Sequence, residues 1–145
     1  MTFAIRRAEP VDAEAAAAVF TASFASMRFV AKIHDAEEDR EFVRSLIANK
    51  EVWLAERDGQ IVGLACWHDG WLEQLYVDPL HHNGGAGTLL LGRVICEHPG
   101  PLQLWTFQAN TGARRFYERQ GFAAVQFTDG SGNEEKTPDV RYVLR

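Results

Sequence analysis

Residues 75–91 constrain the fold of this chain more than any other stretch. They begin with an apolar segment containing a Tyr-Val pair, which is typical of a β-strand, and Asp78-Pro79 ends that strand. Glycines follow at 84, 85 and 87, and an apolar helix begins after them. A glycine turn that leads into a helix leaves N–H groups unpaired at the positive end of the helix dipole. The stretch therefore predicts an anion site, most often for phosphate.

Two common phosphate-binding motifs do not match this stretch. A nucleotide P-loop requires a lysine directly after its second glycine, whereas Thr88 follows Gly87. A dinucleotide-binding turn requires a third glycine where Leu90 stands, and an acidic residue about 20 positions farther on, where the chain has none. A diphosphate held mainly by backbone amides remains.

Composition limits the class of protein. A chain of 145 residues with 46% hydrophobic and 24% charged residues is expected to form one globular domain, residues 1–145. The net charge of −5 argues against nucleic-acid binding, which requires a basic face. No apolar run approaches the roughly 20 residues that cross a bilayer, and the N-terminus lacks a signal core, so no membrane contact is expected. Two cysteines do not make a disulfide framework, so a cytoplasmic location is expected.

Hydrophobic periodicity and turn signals predict the element order β-α-α-β-β-β-α-β-α-β-β. The predicted strands cover residues 3–7, 51–57, 60–67, 71–77, 102–107, 122–127 and 139–144. The predicted helices begin at Pro10, at an Asp35–Glu38 capping box, after the glycine turn and at Thr111, and the last ends at Gln120. The fifth strand follows the fourth through a helix, so those two should be parallel. This order predicts an α/β (α+β) fold with a mixed sheet of about seven strands and helices on both faces.

Two blocks of sequence resemble the GNAT N-acetyltransferases. The order Leu-Tyr-Val-Asp-Pro, a polar residue and x-x-Gly-x-Gly is similar to that family's acetyl-CoA-binding core, with His82 in the Gln/Arg position. Gly85 and Gly87 are then the two signature glycines. Residues 110–122 resemble the family segment Asn-x-x-Ala-x-x-Phe-Tyr-Glu-x-x-Gly-Phe. The chain departs from the family at His82, and at Gly84, where a basic residue is common.

The resemblance implies acetyl-CoA as co-substrate and no metal. In this family the fourth and fifth strands splay apart into a V that admits the cofactor. Backbone groups of Leu75, Tyr76 and Val77 would pair with the pantetheine arm, and an N–H at or near Val77 would polarise the thioester carbonyl. The other residues implied to bind the cofactor are His82, Asn83, Gly84, Gly85, Ala86, Gly87, Thr88, Asn110 and Tyr117.

Two side chains are candidates for catalysis. The resemblance places Tyr117 where the family's general acid stands, and a phenol with a pKa of about 10 stays protonated at neutral pH. The alternative is a tyrosine packed between helices. Glu73 is the candidate base, because family members often carry a carboxylate in this part of the sheet. Strand alternation would place it among apolar groups, where its pKa would rise, unless a bulge intervenes. The alternative is a solvated carboxylate at the sheet edge.

The acceptor site is less well defined by sequence. His34 precedes the second helix, in the loop that often lines the acceptor site in this family, and a surface or capping role is its alternative. Phe29, with Phe24 and Met27, either lines an acceptor pocket or packs in the core. The tail 132–135 either binds a cationic acceptor or forms a solvated loop. Cys66 and Cys96 each stand two residues before a histidine, a spacing that is poor for structural zinc.

The predicted function is an acetyl-CoA-dependent N-acetyltransferase that acts by direct attack of a primary amine. The acceptor is either a small molecule or a protein amino group. Two alternatives stay open, a non-catalytic CoA-binding or sensing domain and a transferase that uses a different acyl-CoA. The sequence leaves a homodimer open as well.

Overall fold

The helices and strands follow one another in the predicted order. The computed structural model describes residues 3–82 and 84–145. Its strands are β1 (Ala4–Arg7), β2 (Glu51–Arg57), β3 (Gln60–His68), β4 (Trp71–Val77), β5 (Leu102–Phe107), β6 (Ala123–Phe127) and β7 (Asp139–Leu144). Its α-helices are α1 (Ala13–Ala25), α2 (Ala36–Asn49), α3 (Ala86–Glu97) and α4 (Thr111–Arg119).

Local sequence signals explain several element boundaries. The Asp35 side chain accepts from the Glu38 N–H at 2.8 Å and the Glu38 side chain accepts from the Asp35 N–H, so the predicted capping box starts α2. Asp58 and Gly59 have φ values of 52° and 77°, as expected for a tight turn between β2 and β3. The prediction that α1 begins at Pro10 is wrong by one turn, because Pro10–Asp12 forms a separate 3₁₀ turn.

The sheet has seven strands in the order β1-β2-β3-β4-β5-β7-β6. The β4 and β5 strands are parallel, as predicted, while the neighbouring pairs are antiparallel. The described register between β4 and β5 consists of Trp71 opposite Gln103, at the start of both strands. Both strands continue past this pair, but no further pair joins them within the described residues. Their carboxyl ends therefore lie apart.

Helices cover both faces of the sheet and form two apolar layers. The first packs α1 and α2 against β2 and β3, and its members include Ala16, Val19, Val43, Leu46, Leu54 and Leu64. The second packs α3 and α4 against the opposite face, and its members include Leu90, Leu91, Val94, Leu104, Tyr117 and Tyr142. Alternation along β2 explains the division, since Leu54 faces the first layer and Ala55 the second. On α2 the Phe42 side chain is 41% exposed, whereas the adjacent Val43 is buried in the first layer.

Within residues 3–82 and 84–145, no helix is both long enough and apolar enough to cross a bilayer.

Candidate active site

A cleft of about 2000 Å³ runs along the gap between β4 and β5. Its walls come from β4, the start of α3, α4, the loop between α1 and α2, and the loop between β6 and β7. The predicted site residues that line it are Phe29, His34, Glu73, Leu75, Tyr76, Val77, His82, Gly85, Ala86, Gly87, Thr88, Asn110 and Tyr117. A gap in the sheet thus brings together residues from distant parts of the chain.

The start of α3 presents unpaired backbone donors to this cleft. Gly85 caps the helix in the left-handed conformation with φ 93°, and among the described residues no side chain caps it. The first described helical bond runs from the Leu89 N–H to the Gly85 carbonyl at 3.1 Å. The amides of Ala86, Gly87 and Thr88 therefore lack helical acceptors. Three such donors at a helix N-terminus suit a phosphate group.

The glycines of the turn have different surroundings. An added Cβ at Gly84 would lie 3.1 Å from the Phe3 ring, and Gly84 is not among the cleft-lining residues. Phe3 therefore leaves little room for a side chain at Gly84, and the contact of Gly84 with the cofactor stays a prediction. An added Cβ at Gly87 would meet the Phe116 ring at 3.6 Å, an ordinary contact distance. Asn83, the other predicted member of this turn, lies outside the described residues.

The free edge of β4 offers a second set of backbone groups. The Asp78 N–H donates to the Val62 carbonyl on β3 at 2.8 Å. Backbone groups alternate in direction along an antiparallel strand, so those of Leu75 and Val77 point away from β3, toward β5. The backbone of Tyr76 points toward β3 by the same alternation, which corrects its predicted pairing with the cofactor arm. The Tyr76 side chain nevertheless lines the cleft.

The Val77 carbonyl already has partners at this edge. His82 Nε2 donates to it at 2.8 Å, and the Ser23 hydroxyl donates to it at 3.4 Å. His82 therefore turns back onto the end of β4 from the start of the glycine turn. This contact has no sequence signal, because the resemblance describes only the position of His82 in the motif.

Tyr117 lies in an aromatic cluster beside the cleft. Its side chain is 7% exposed and contacts the rings of Phe116, Phe122 and Tyr142. Among the described residues its hydroxyl has no hydrogen-bond partner, and the residue lines the cleft. Burial, and to a lesser degree the nearby Tyr76, raise the pKa of the Tyr117 hydroxyl above its ordinary value. The phenol therefore keeps its proton at neutral pH, as a general acid requires.

A bulge in β4 moves Glu73 out of the apolar environment that alternation predicted. Cys66 pairs with Gln74 and Trp67 with Leu72, so Glu73 is the extra residue. Leu72 and Leu75 consequently both face the α3 side of the sheet, whereas Glu73 forms an ion pair with Lys50 at the end of α2. Its side chain is 27% exposed and lines the cleft. The bulge is the stated exception to the apolar burial of Glu73, and its place in the cleft is compatible with either role considered.

Asn110 serves as the N-cap of α4. Its side-chain oxygen accepts from the Ala113 N–H at 3.1 Å. Asn110 also lines the cleft, close to the end of β5. The structural role is observed, and the cofactor contact stays a prediction.

His34 connects two loops across the mouth of the cleft. Its Nε2 donates to Glu134, 100 positions away in the β6–β7 loop, and its Nδ1 lies 3.3 Å from Glu38. Hydrogen bonds to Glu134 first and Glu38 second raise the pKa of His34 above its ordinary value. Phe29 lies beside it in the same loop and packs edge-on to Phe107 at 6.0 Å. Both predicted acceptor residues therefore line the cleft, as do residues 132–135 of the loop between β6 and β7.

The sequence reading missed an ionic cluster beneath this loop. Asp39 lies in the first turn of α2, where an acidic residue is common, yet its side chain is buried and lines the cleft. It accepts from the Thr21 hydroxyl at 2.7 Å and from Lys32 Nζ at 2.8 Å. Lys32 and Asp39 thus anchor the loop before α2. The local sequence does not indicate that Asp39 is buried against Thr21, because Thr21 is distant in the chain.

Cys66 is unsuited to nucleophilic chemistry. It is buried in the layer beneath α1 and α2, and burial raises the pKa of its thiol to about 12. The thiol therefore stays protonated at neutral pH and packs as an apolar group.

Carboxylates dominate the charge of the cleft. The acidic residues that line it are Glu38, Asp39, Glu41, Glu73, Glu134, Glu135 and Asp139. The lysines and arginines that line it are Lys32 and Arg119. The excess of negative charge would attract a cationic group to the cleft.

Comparison with known proteins gives a consistent family match. The model of the acetyltransferase (GNAT) family matches residues 16–122. Peptidyl-lysine N-acetyltransferase YiaC of Escherichia coli is 35% identical over 80 residues, which cover 54% of this chain and 54% of that protein. The uncharacterised N-acetyltransferase YafP of Escherichia coli is 29% identical over 91 residues, which cover 63% of this chain and 58% of that protein. The chain thus spans about half the length of the curated relatives it matches.

Solved structures share the fold over nearly the whole chain. The apo form of YjaB from Escherichia coli superposes with a TM-score of 0.81 at 22% identity, covering 99% of this chain and 97% of its own. The yncA protein of Salmonella typhimurium, solved with its cofactor acetyl-CoA, gives a TM-score of 0.77 at 19% identity, covering 100% of this chain and 94% of its own. At these identities the likeness establishes the fold.

Proposed function

The chain belongs to the acetyltransferase (GNAT) family, whose model matches residues 16–122, and from this premise we propose that it is an acetyl-CoA-dependent N-acetyltransferase. The observation that carries the proposal is the pairing of two backbone sites along one cleft. The N-terminus of α3 offers the free amides of Ala86, Gly87 and Thr88, and the open edge of β4 offers backbone groups of Leu75 and Val77. A diphosphate joined to an extended amide-containing arm matches both sites at once.

Acetyl-CoA, when bound, supplies an acetyl group on a thioester sulfur. The Val77 N–H, on the side of β4 that faces the cleft, would donate to the carbonyl oxygen of that group. Leu75 would bind the pantetheine arm through its backbone, as an added strand would. The amide nitrogen of Asn110 would support the same arm beside β5.

Two side chains would move the protons. The Glu73 carboxylate, held by Lys50, would accept a proton from the acceptor amine directly or through water. As the amine nitrogen bonds to the acetyl carbon and the carbon–sulfur bond breaks, the Tyr117 hydroxyl would give its proton to the departing thiolate. Its raised pKa ensures that the proton is present at neutral pH, and its lack of a competing partner among the described residues leaves it free to donate.

The acceptor is proposed to be a primary amine, of a small molecule or of a protein. An amine is cationic before it reacts, and the acidic lining of the cleft would favour its approach. The name of YiaC, peptidyl-lysine N-acetyltransferase, makes a lysine-containing peptide the first acceptor to test. Phe29 and His34 would contact such an acceptor at the mouth of the cleft. The cytoplasmic location, the extent of the domain over residues 1–145 and a homodimer stay predictions.

Calorimetry and thiol release together test the proposal. Acetyl-CoA should bind to the purified chain, and free thiol should appear only when an acceptor amine is added. The panel should contain lysine peptides, N-terminal peptides and small polyamines. Binding without thiol release from any acceptor would favour the non-catalytic sensor. Release with propionyl-CoA or succinyl-CoA but not with acetyl-CoA would favour a different acyl group.

A further inference from the structure

His82 occupies an unusual place between the two halves of the proposed cofactor site. Its Nε2 donates to the carbonyl of Val77, five residues earlier, at 2.8 Å. Val77 ends β4, and His82 directly follows the 3₁₀ turn Pro79–His81. The imidazole therefore bridges the segment that leads from the β4 edge to the α3 N-terminus.

The Val77–Asp78 peptide is held from both of its sides. The Asp78 N–H donates to Val62 on β3, and the Val77 carbonyl accepts from His82 and from Ser23 on α1. The Asp78 side chain also accepts from the Leu80 N–H at 2.9 Å. The strand end is thus held on both sides, and the His82 side chain connects the far end of the following turn to it.

We propose that His82 is a positioning residue that sets the distance between the β4 edge and the α3 N-terminus. One molecule of acetyl-CoA must contact both the β4 edge and the α3 N-terminus. If the separation of these two sites is fixed, the second contact forms without any further loss of conformational entropy in the protein. The inference rests on the proposed function. It assigns His82 a role through Val77, in place of the direct phosphate contact that its motif position would suggest.

Two observations favour this role over direct phosphate binding. The Nε2 atom of His82 is committed to Val77, and that nitrogen must carry its proton to donate there, in the neutral as well as the cationic ring. The diphosphate has its own donors in the free amides of Ala86, Gly87 and Thr88. His82 acts on the geometry of the site and leaves the anion to the backbone.

The test compares whole coenzyme A with its two parts. Binding of coenzyme A, ADP and pantetheine is measured by calorimetry or chemical-shift titration for wild type, His82→Leu and His82→Gln. His82→Leu removes the donor, and we expect coenzyme A to bind about 3- to 10-fold more weakly. ADP and pantetheine should each bind within about twofold of wild type, because either part alone engages one site. His82→Gln keeps an N–H at a similar reach and should restore coenzyme A binding.

Each other result has a distinct meaning. Equal weakening of ADP and coenzyme A would make His82 a phosphate ligand and overturn the proposal, as would unchanged coenzyme A binding in His82→Leu. Failure of wild type to bind coenzyme A would instead overturn the proposed function. Thermal unfolding of each variant checks folding, and His82→Asn, whose amide is too short to reach Val77, repeats the test with a polar side chain.

Discussion

Trp71 and Gln103 lie opposite each other where β4 and β5 begin, and the Gln103 N–H donates to the Gly70 carbonyl at 3.1 Å beside them. No further register pair joins the two strands within the described residues. The parallel strands therefore open from this point toward their carboxyl ends. The opening exposes the backbone of Leu75 and Val77, which would otherwise be covered by β5. The candidate site exists because the described pairing between β4 and β5 is confined to the start of the two strands.

Replacing Tyr117 with phenylalanine should separate catalysis from binding. Loss of a general acid is expected to lower kcat about 100-fold, while the dissociation constant of coenzyme A changes less than about twofold. Tyr142→Phe is the matched control, because Tyr142 is also buried but donates to Glu118 at 2.6 Å and does not line the cleft. The control should lose about 1 kcal/mol of stability and keep its kcat. Thiol release at saturating acetyl-CoA measures the kcat of both variants. An unchanged kcat in Tyr117→Phe would remove Tyr117 from the mechanism.

Replacing Glu73 with glutamine should lower turnover at neutral pH without changing cofactor affinity. The carboxylate is the proposed proton acceptor, and its amide counterpart cannot accept a proton at this pH. Glu97→Gln is the control, since Glu97 ends α3 and does not line the cleft. The measurement is kcat across the pH range together with the affinity for coenzyme A. Turnover equal to wild type at every pH would assign Glu73 to the structural ion pair with Lys50 alone.

The two signature glycines should respond oppositely to alanine. Gly85 has φ 93°, so Gly85→Ala should cost about 1–2 kcal/mol and weaken coenzyme A binding by tilting the start of α3. Gly87 lies inside α3 with room for a methyl group, so Gly87→Ala should stabilise the fold by about 0.5–1 kcal/mol. Chemical denaturation and calorimetry measure the two effects. The same sign of stability change in both variants would contradict the assigned backbone geometry.

The contact between His34 and Glu134 should weaken as pH rises. Because the pKa of His34 is raised, the folded chain favours the protonated form of its imidazole. The contact is fully present below the ordinary histidine pKa of about 6.5 and is lost as pH rises through the higher folded value. Hydrogen exchange of residues 128–138, corrected for its intrinsic pH dependence, should therefore accelerate over that interval. Glu134→Gln should remove most of the pH dependence, and pH-independent protection in wild type would contradict the contact.

Most of the architecture was predictable because its signals are local. The Asp58–Gly59 turn, the Asp35–Glu38 capping box and the glycine turn before α3 each depend on a few neighbouring residues. The site was less predictable where geometry depends on distant partners. The bulge that turns Glu73 toward Lys50 has no sequence signal, so alternation alone could not decide the environment of Glu73.

Contacts between distant segments were likewise beyond the sequence. His34 meets Glu134 across 100 positions, and Asp39 is buried against Thr21 and Lys32. Each of these residues also has an adequate local explanation, as a surface or first-turn polar group. The packing of α1 and α2 against β2 and β3 brings Asp39 to the cleft, and the loop between β6 and β7 brings Glu134 there.

The central claim is that the start of α3 and the edge of β4 hold one molecule of coenzyme A. A titration of the ¹⁵N-labelled chain with coenzyme A, followed by amide chemical shifts, tests it most directly. The account predicts saturable shifts at Ala86, Gly87 and Thr88 together with Leu75 and Val77, all with one dissociation constant. Shifts confined to other parts of the chain, or none at all, would contradict it.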